Sequence, residues 1–322
     1  MTGGAGFIGS WLVGDLLDRK VETIVYDDFS SGSMENLARH KDDKLLKVVT
    51  GDIRKIRETL ADVRDVDGVF HLAAIASVAK SVSEPMKVHD VNVNGSLEVM
   101  NFCLEKGVKR MVFASSAAVY GPLGKGAASE DLACAPASPY GASKLAIENY
   151  MSSYYNSYGL ETVVLRIFNV YGAGQRINEY SGVIAIFANS LLQQIPPTIF
   201  GDGEQTRDFV SVRDVVQANR LAITAPGASG QVFNIASGVA VSLLQLLNIL
   251  RSLTGTKDVP QLFAPTRPGD IKFGRASIGK AREVLGYDPR IRIEDGLVEV
   301  VEYLKETGAR GQTAAGQKVG TK

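Results

Sequence analysis

The sequence predicts an α/β fold, a doubly wound parallel sheet with a smaller C-terminal domain, and three observations carry that expectation. Short β-branched runs alternate with longer stretches of helical period, which favours parallel strands covered by helices on both faces. Right-handed crossovers then wind the sheet outward in both directions from one switch point. A glycine-rich turn, Gly3-Gly-Ala-Gly-Phe-Ile-Gly9, runs straight into the first apolar helical stretch.

In chain order, helices are expected at 8–19, 56–60, 84–106 and 140–158, and strands at 22–26, 46–50, 68–71, 110–114 and 162–166. Beyond these, Pro196-Pro197, the turn Gly201-Asp-Gly203 and the 264–269 stretch break the chain into shorter elements that would close over the carboxyl edge of the sheet. The tail from Gly308 to Lys322 has no apolar period and is expected to be disordered. A doubly wound sheet needs a buried strand before its glycine loop, yet Met1 stands directly before Thr2-Gly3-Gly4. That first strand is therefore expected to be missing, leaving unpaired backbone in the core at a cost in stability unless the protein starts further upstream.

Bulk properties exclude several classes. Lysine plus arginine and aspartate plus glutamate both number 35, with no basic stripe, which argues against nucleic acid as a partner. Apolar residues make up 45% of the chain, enough for a sizeable core, but no apolar run approaches the ~18 residues of a membrane span. No signal-peptide pattern opens the chain. Cys103 and Cys134 form neither a disulfide framework nor a metal cluster, and His40, His71 and His89 are scattered, so no metal is expected. The expectation is a soluble, cytoplasmic protein.

The glycine spacing points to a dinucleotide. Gly3, Gly6 and Gly9 suit a tight turn, close approach of backbone to a diphosphate, and tight helix–strand packing. The helix start, with Phe7 and Ile8 in its first turn, offers free N–H groups to the phosphates. Eighteen residues after Gly9, the next strand ends at Asp27. A carboxylate there accepts from both ribose hydroxyls and repels a 2′-phosphate, which selects NAD over NADP. Asp52, followed by Ile53, ends the next strand and is a candidate for the adenine amino group. Leu72, Ala73 and Ala74 are small or apolar where backbone must pass the diphosphate. The bland alternatives are a glycine turn without ligand, a simple turn aspartate, and packing. Residues 1–170 thus form the expected NAD-binding domain, with segments near 209–237 packing back on it. Residues 171–308 form mainly a substrate-binding domain, and 309–322 a tail.

A second constellation carries chemistry. Tyr140-Gly-Ala-Ser-Lys144 opens a helix, and its i,i+4 ends share one face. An ammonium close to a phenol stabilises the phenolate. Tyrosine ionises near pH 10, so work near pH 7 needs about three units, roughly 4 kcal/mol. Lysine and a positive nicotinamide ring in a dry site supply it. Ser116, at the carboxyl end of the 110–114 strand, is the expected hydroxyl partner of Tyr140, with Ser115 as fallback. The bland alternative is a surface helix pair.

At this point the sequence resembles the extended short-chain dehydrogenase/reductases and, within them, the UDP-glucose 4-epimerase group. The likeness runs from Thr2 to about Tyr303. It rests on Gly3 to Gly9, Asp27, His71-Leu-Ala-Ala74, Asn92, Ser115-Ser116, Tyr140 with Lys144, Gly201-Asp-Gly203 through Arg207-Asp208, and Arg267-Pro-Gly-Asp270. The resemblance implies a Rossmann domain, bound NAD, and a UDP-sugar substrate epimerised through a 4-keto intermediate as part of galactose metabolism. It implies that Asn92 supports the lysine and cofactor, and that Phe168 and Asn169 line the nicotinamide and the substrate diphosphate. Arg207 and Arg267 would grip that diphosphate, a task suited to planar guanidinium groups, and Asp270 would bond the uridine ribose. Gly274 falls where the family limits the sugar pocket with bulk, so a glycine there implies room for a 2-acetamido group. A homodimer through the 84–106 and 140–158 helices is also implied. Asp28 departs from the family, which commonly has asparagine after the ribose acid.

Three alternatives stay open. A UDP-glucuronate 4-epimerase is one. A 4,6-dehydratase would use an acid pair at 115–118, where this chain has Ser-Ser-Ala-Ala. A non-enzymatic NAD-sensing regulator would typically lack the Tyr–Lys pair.

Overall fold

The computed structural model describes residues 1–175, 182–266 and 272–311. Its first part runs α1 (Phe7–Asp18), β1 (Thr23–Asp27), β2 (Leu46–Thr50), α2 (Ile56–Thr59), β3 (Gly68–His71), α3 (Val78–Ser83), α4 (Pro85–His89), α5 (Gly95–Glu105), β4 (Arg110–Ser116), α6 (Pro139–Tyr158) and β5 (Glu161–Ile167). The remainder runs β6 (Asn169–Tyr171), α7 (Val183–Leu192), β7 (Thr198–Phe200), β8 (Thr206–Ser211), α8 (Val212–Thr224), β9 (Gln231–Ile235), β10 (Ala240–Ser242), α9 (Leu243–Thr254), β11 (Leu262–Ala264) and α10 (Ile293–Gly311).

β1 and β2 pair in parallel, and β3, β4, β5 and β9 form a second parallel set in that order. Met1 and Thr2 lie between the two sets, with Thr2 bridging Tyr26 on one side and His71 on the other. The expected gap is therefore corrected along these two residues. Tyr26 N donates to the Met1 carbonyl at 2.8 Å, Thr2 N to Phe70 at 3.0 Å, Gly3 N to Tyr26 at 3.0 Å and Leu72 N to Thr2 at 3.1 Å. Winding reverses at this slot, so the carboxyl ends of β1, β3 and β4 frame the switch point where ligands bind in such sheets.

β4 and β5 are buried almost throughout, as strands covered on both faces must be. One face packs Leu12, Val112, Leu165, Val215 and Phe233 together, and the other packs Tyr26, Ile56, Met100, Met111 and Ile147. A third cluster, including Ile184, Phe187, Leu246, Leu247 and Leu297, joins α7, α9 and α10. β8 lies between antiparallel β10 and parallel β6, and β7 pairs with β11. Although it follows β6, β7 and β8 in the chain, β9 returns to the large sheet beside β5, and α8 packs on α1, β4 and β5.

Two expectations change. The 84–106 helix is interrupted. Glu84 sits at φ −130°, ψ 55° because the ring of Pro85 disfavours a helical residue before it, and a π turn at Asp90–Asn94 separates α4 from α5. The ordered chain also runs past Gly308: α10 buries Leu297, Val300, Val301 and Leu304 and continues to Gly311. Residues 312–322 lie outside the described residues.

Candidate active site

The glycine loop folds tightly against the start of β3's exit. Gly3 adopts φ +70°, and a Cβ there would lie 2.6 Å from Ala73 N. A Cβ at Gly9 would fall 2.1 Å from the Gly3 carbonyl oxygen. Gly6 caps α1 with no side-chain hydrogen bond, and the first turn carries no acid. The N–H groups of Phe7, Ile8 and Gly9 thus begin the helix as an anion cradle, which fits a dinucleotide diphosphate. Leu72, Ala73 and Ala74 run half-buried past Gly3, held by Leu72 N on the Thr2 carbonyl.

Asp27 ends β1 beside this loop. Its Oδ2 accepts from Ala5 N and its Oδ1 from Phe29 N, both at 2.9 Å. Burial pushes its pKa up, and the two backbone bonds oppose the rise. Each oxygen keeps a lone pair for a ribose hydroxyl. Asp28 turns away to cap Ser30 N at 2.9 Å. The structure qualifies the other two adenine-side candidates. The Asp52 carboxylate caps the Ile53–Lys55 turn through Arg54 N and pairs with the Arg54 guanidinium, which holds it below its usual range. The Ile53 side chain is buried in the core, so only its backbone can meet a cofactor.

The catalytic candidates converge on the end of β4. Ser138 caps α6 by accepting from Gly141 N at 3.1 Å, and Pro139 opens the helix. Tyr140, one residue on, is 9% exposed, and the Ser116 hydroxyl lies near enough to its phenol to oppose the effect of burial on it. The Ser116 hydroxyl in turn accepts from Ala118 N at 3.2 Å. Lys144 is 3% exposed and donates from Nζ to the Ala114 carbonyl at 2.8 Å. Its amine lies 4.6 Å from the Phe113 ring centre and 5.9 Å from that of Tyr140.

Burial pushes the Tyr140 phenol up, and the neighbouring Ser116 hydroxyl opposes the rise. Burial also pushes Lys144 down to about 7, opposed by the Glu148 carboxylate. The lysine is anchored on β4's backbone, with its amine 5.9 Å from the centre of the Tyr140 ring.

Asn92, fully buried in the π turn, accepts from Ile75 N at 2.8 Å and donates to Ser143 Oγ at 3.1 Å. It ties the loop after β3 to the first turn of α6, reaching the lysine's neighbour rather than the lysine. Ser115, the fallback hydroxyl, points elsewhere: it donates to Glu148 Oε1. Strand alternation forces this, since adjacent residues face opposite sides.

On the far side of the cleft, Phe168 is buried with its N–H on the Ile235 carbonyl at 3.0 Å. Asn169 is exposed and donates to the Asp208 carbonyl at 3.3 Å. Arg207 lies on β8 and donates to the Thr206 carbonyl at 2.8 Å. Gly274 is buried, and a Cβ there would stand 3.1 Å from the Thr206 carbonyl oxygen. Gly274 therefore lies against Thr206 and Arg207 of β8. Arg267 and Asp270 lie outside the described residues.

Sequence reasoning missed the buried pair behind the site. Arg166 Nη2 meets Glu148 Oε2 at 2.7 Å, with side chains 7% and 4% exposed. Two signals were available: Glu148 stands one turn after Lys144 on the same face, and Arg166 interrupts an apolar strand run. Asp208 was also passed over as a scaffold; it accepts from Ser237 N, Gly238 N and Ala276 N at 2.9–3.1 Å.

His71 is buried between Thr2 Oγ1 at 2.7 Å and Ser96 Oγ at 2.8 Å. Burial, aided by the charge of Lys144, pushes its pKa down to about 3. The neutral ring therefore favours the folded state above the ordinary histidine pKa of about 6.5. That stability is lost as pH falls toward 3, by about 3 kcal/mol at pH 4. Urea unfolding at pH 7 and pH 4 should show His71→Asn losing less stability over this interval than the unsubstituted chain, by about that amount. Equal losses would contradict the assignment.

Among the described residues, no helix is long and apolar enough to cross a membrane, and no group of three or more His, Cys, Asp or Glu is placed to hold a metal. Comparison with known proteins agrees with the geometry. A UDP-glucose 4-epimerase of Mycolicibacterium smegmatis is 39% identical over 308 residues, spanning 95% of this chain and 97% of the relative. The crystal structure of a Thermotoga maritima UDP-glucose 4-epimerase with UDP-glucose superposes with a TM-score of 0.89 at 38% identity, over 95% of this chain and 98% of that one. A UDP-N-acetylglucosamine 4-epimerase from Methanobrevibacter ruminantium, in complex with UDP-N-acetylmuramic acid, superposes with a TM-score of 0.90 at 35% identity, over 95% and 97%. Residues 1–236 match the family described as NAD dependent epimerase/dehydratase, and the chain is a member of that family.

Proposed function

We propose that this enzyme interconverts UDP-glucose and UDP-galactose by inverting C4 of the hexose while NAD stays bound. The observation that carries the reading is the Tyr140–Ser116 pair at the carboxyl end of β4, with Lys144 anchored two residues back on the same strand. The names of the relatives support the same substrate.

Direct inversion of an unactivated carbinol is blocked because its C–H is not acidic; passing through a 4-ketone removes the obstacle. Gly3, Gly6, Gly9 and Asp27 would hold NAD, which would supply a reversible hydride acceptor. Tyr140 takes the proton of the 4-hydroxyl and later returns it. Ser116 holds the reacting oxygen. Lys144 biases the phenol toward its ionised form against the opposing effect of burial. Arg207, Arg267 and Asn169 anchor the nucleotide diphosphate and Asp270 the uridine ribose, while the hexose stays loosely held and presents either face.

The Ser-Ser-Ala-Ala stretch at 115–118 offers no carboxylate for removing water, which disfavours dehydration. A second reading, acceptance of 2-acetamido sugars, is supported by the UDP-N-acetylglucosamine 4-epimerase relative. The proposal extends to a cytoplasmic enzyme of galactose metabolism, in keeping with two free cysteines. It also extends to a homodimer built on α5 and α6, where Tyr150 and Tyr158 of α6 are 42% and 63% exposed.

Incubation of purified protein with UDP-glucose, UDP-N-acetylglucosamine and UDP-glucuronate, followed by chromatographic resolution of products, tests the reading. The expected product is UDP-galactose, with no net NADH released. A dehydrated product, or no 4-epimer of any of the three, would sink it.

A further inference from the structure

Helix α1 does more than present its N-terminus. Phe7 and Trp11, at i and i+4, share one face of it, and both meet the loop that follows β6. Gly172 in that loop has no room for a side chain: a Cβ would stand 3.3 Å from Phe7 Cζ and 2.6 Å from Val212 Cγ1. One residue on, the Ala173 carbonyl accepts the Trp11 indole N–H at 3.0 Å. The Arg213 guanidinium covers the indole, 5.5 Å from its ring centre, and ion-pairs with Glu299 on α10 at 2.9 Å. One side chain therefore joins the cofactor helix, the loop, α8 and, through Arg213, α10.

The loop is placed to matter. It begins after β6, whose first residue is Asn169, and on the proposed nucleotide-sugar reading Asn169 faces the substrate diphosphate. We infer that Trp11 is a positioning residue: its indole N–H seats residues 172–174 on the cofactor helix and so sets how firmly the nucleoside diphosphate end of the substrate is held. Trp11 touches neither the reacting atoms nor the glycine cradle. Its effect should therefore fall on substrate affinity and not on the chemical step, because a contact that acts equally in ground and transition states changes KM alone.

The chain contains a single tryptophan, so the emission of the NAD-loaded protein reports this one position. UDP titrated into the holoenzyme should change that emission saturably. Trp11→Phe keeps an aromatic ring but removes the donor. It should raise KM for UDP-glucose and Kd for UDP about three- to tenfold, the range expected for one neutral hydrogen bond. kcat should stay within about twofold and bound NAD should be unchanged. Trp11→His restores a ring N–H and should recover part of the affinity. An unchanged KM in Trp11→Phe overturns the inference, and so does a parallel fall in kcat and NAD content, which would mark a merely structural role. If Trp11→Phe does not fold, the wild-type emission decides: a saturable response to UDP upholds the inference and a flat one overturns it. A wild-type protein that neither binds UDP nor turns over UDP-glucose sinks the nucleotide-sugar reading itself, and this inference falls with it.

Discussion

Tyr140→Phe is expected to lower kcat for 4-epimerisation by about 10²- to 10⁴-fold, the usual worth of a positioned acid–base group. The phenyl ring keeps the apolar packing of a residue only 9% exposed, and what goes is the phenol oxygen beside Ser116. NAD content, read from the absorbance of the purified protein, should be unchanged, because the glycine cradle and Asp27 lie on other elements. KM should move little. A Phe variant that retains most of its turnover would remove Tyr140 from the chemistry. Lys144→Met provides the companion measurement. It removes the ammonium that, in the proposed mechanism, favours the phenolate, so its residual activity should rise more steeply with pH than that of the unsubstituted enzyme.

The second large effect concerns stability. Glu148→Ala leaves the Arg166 guanidinium buried without its counter-ion, and breaking a buried pair from one side costs about 3–5 kcal/mol. Against a total of about 5–15 kcal/mol, that is a severe loss. Arg166 keeps a bond to the Glu130 carbonyl at 3.2 Å and its stacking on Tyr120 at 4.7 Å. Glu148→Gln retains an acceptor for Arg166 and for Ser115 and should lose less. The measurement is the urea midpoint at pH 7, with the slope checked for constancy. A loss below about 1 kcal/mol for the Ala variant would show that Arg166 finds water or another partner.

Strands of the large sheet were legible because their signal is local: a short β-branched run bounded by turn residues defines β2 and β3 to the residue. The glycine loop and the Tyr140–Lys144 spacing were legible for the same reason, since each is a contiguous pattern with one physical use. The break at Pro85 was equally local and should have been taken from the sequence, because the ring's effect on Glu84 does not depend on tertiary context. The rest depended on distant neighbours. That Ser115 and not Ser116 turns to Glu148 is fixed by β4 continuing as strand to Ser116, two residues beyond the apolar run. That Lys144 bonds the Ala114 carbonyl is a contact across 30 positions that no periodicity encodes. Gly274 shows the limit from the other direction: its glycine was visible, but only its position against β8 shows what the missing side chain allows.

The return of β9 to the large sheet has a consequence for how the polypeptide comes off the ribosome. β5 keeps one edge bare until residues 231–235 arrive, and the whole of β6 to α8 must be synthesised in between. The sheet that carries Tyr140's partner strand therefore cannot close as an early, self-sufficient unit. At roughly 5–20 residues per second, its open edge is exposed for several seconds of translation, the interval in which edge-to-edge association between nascent chains has its chance.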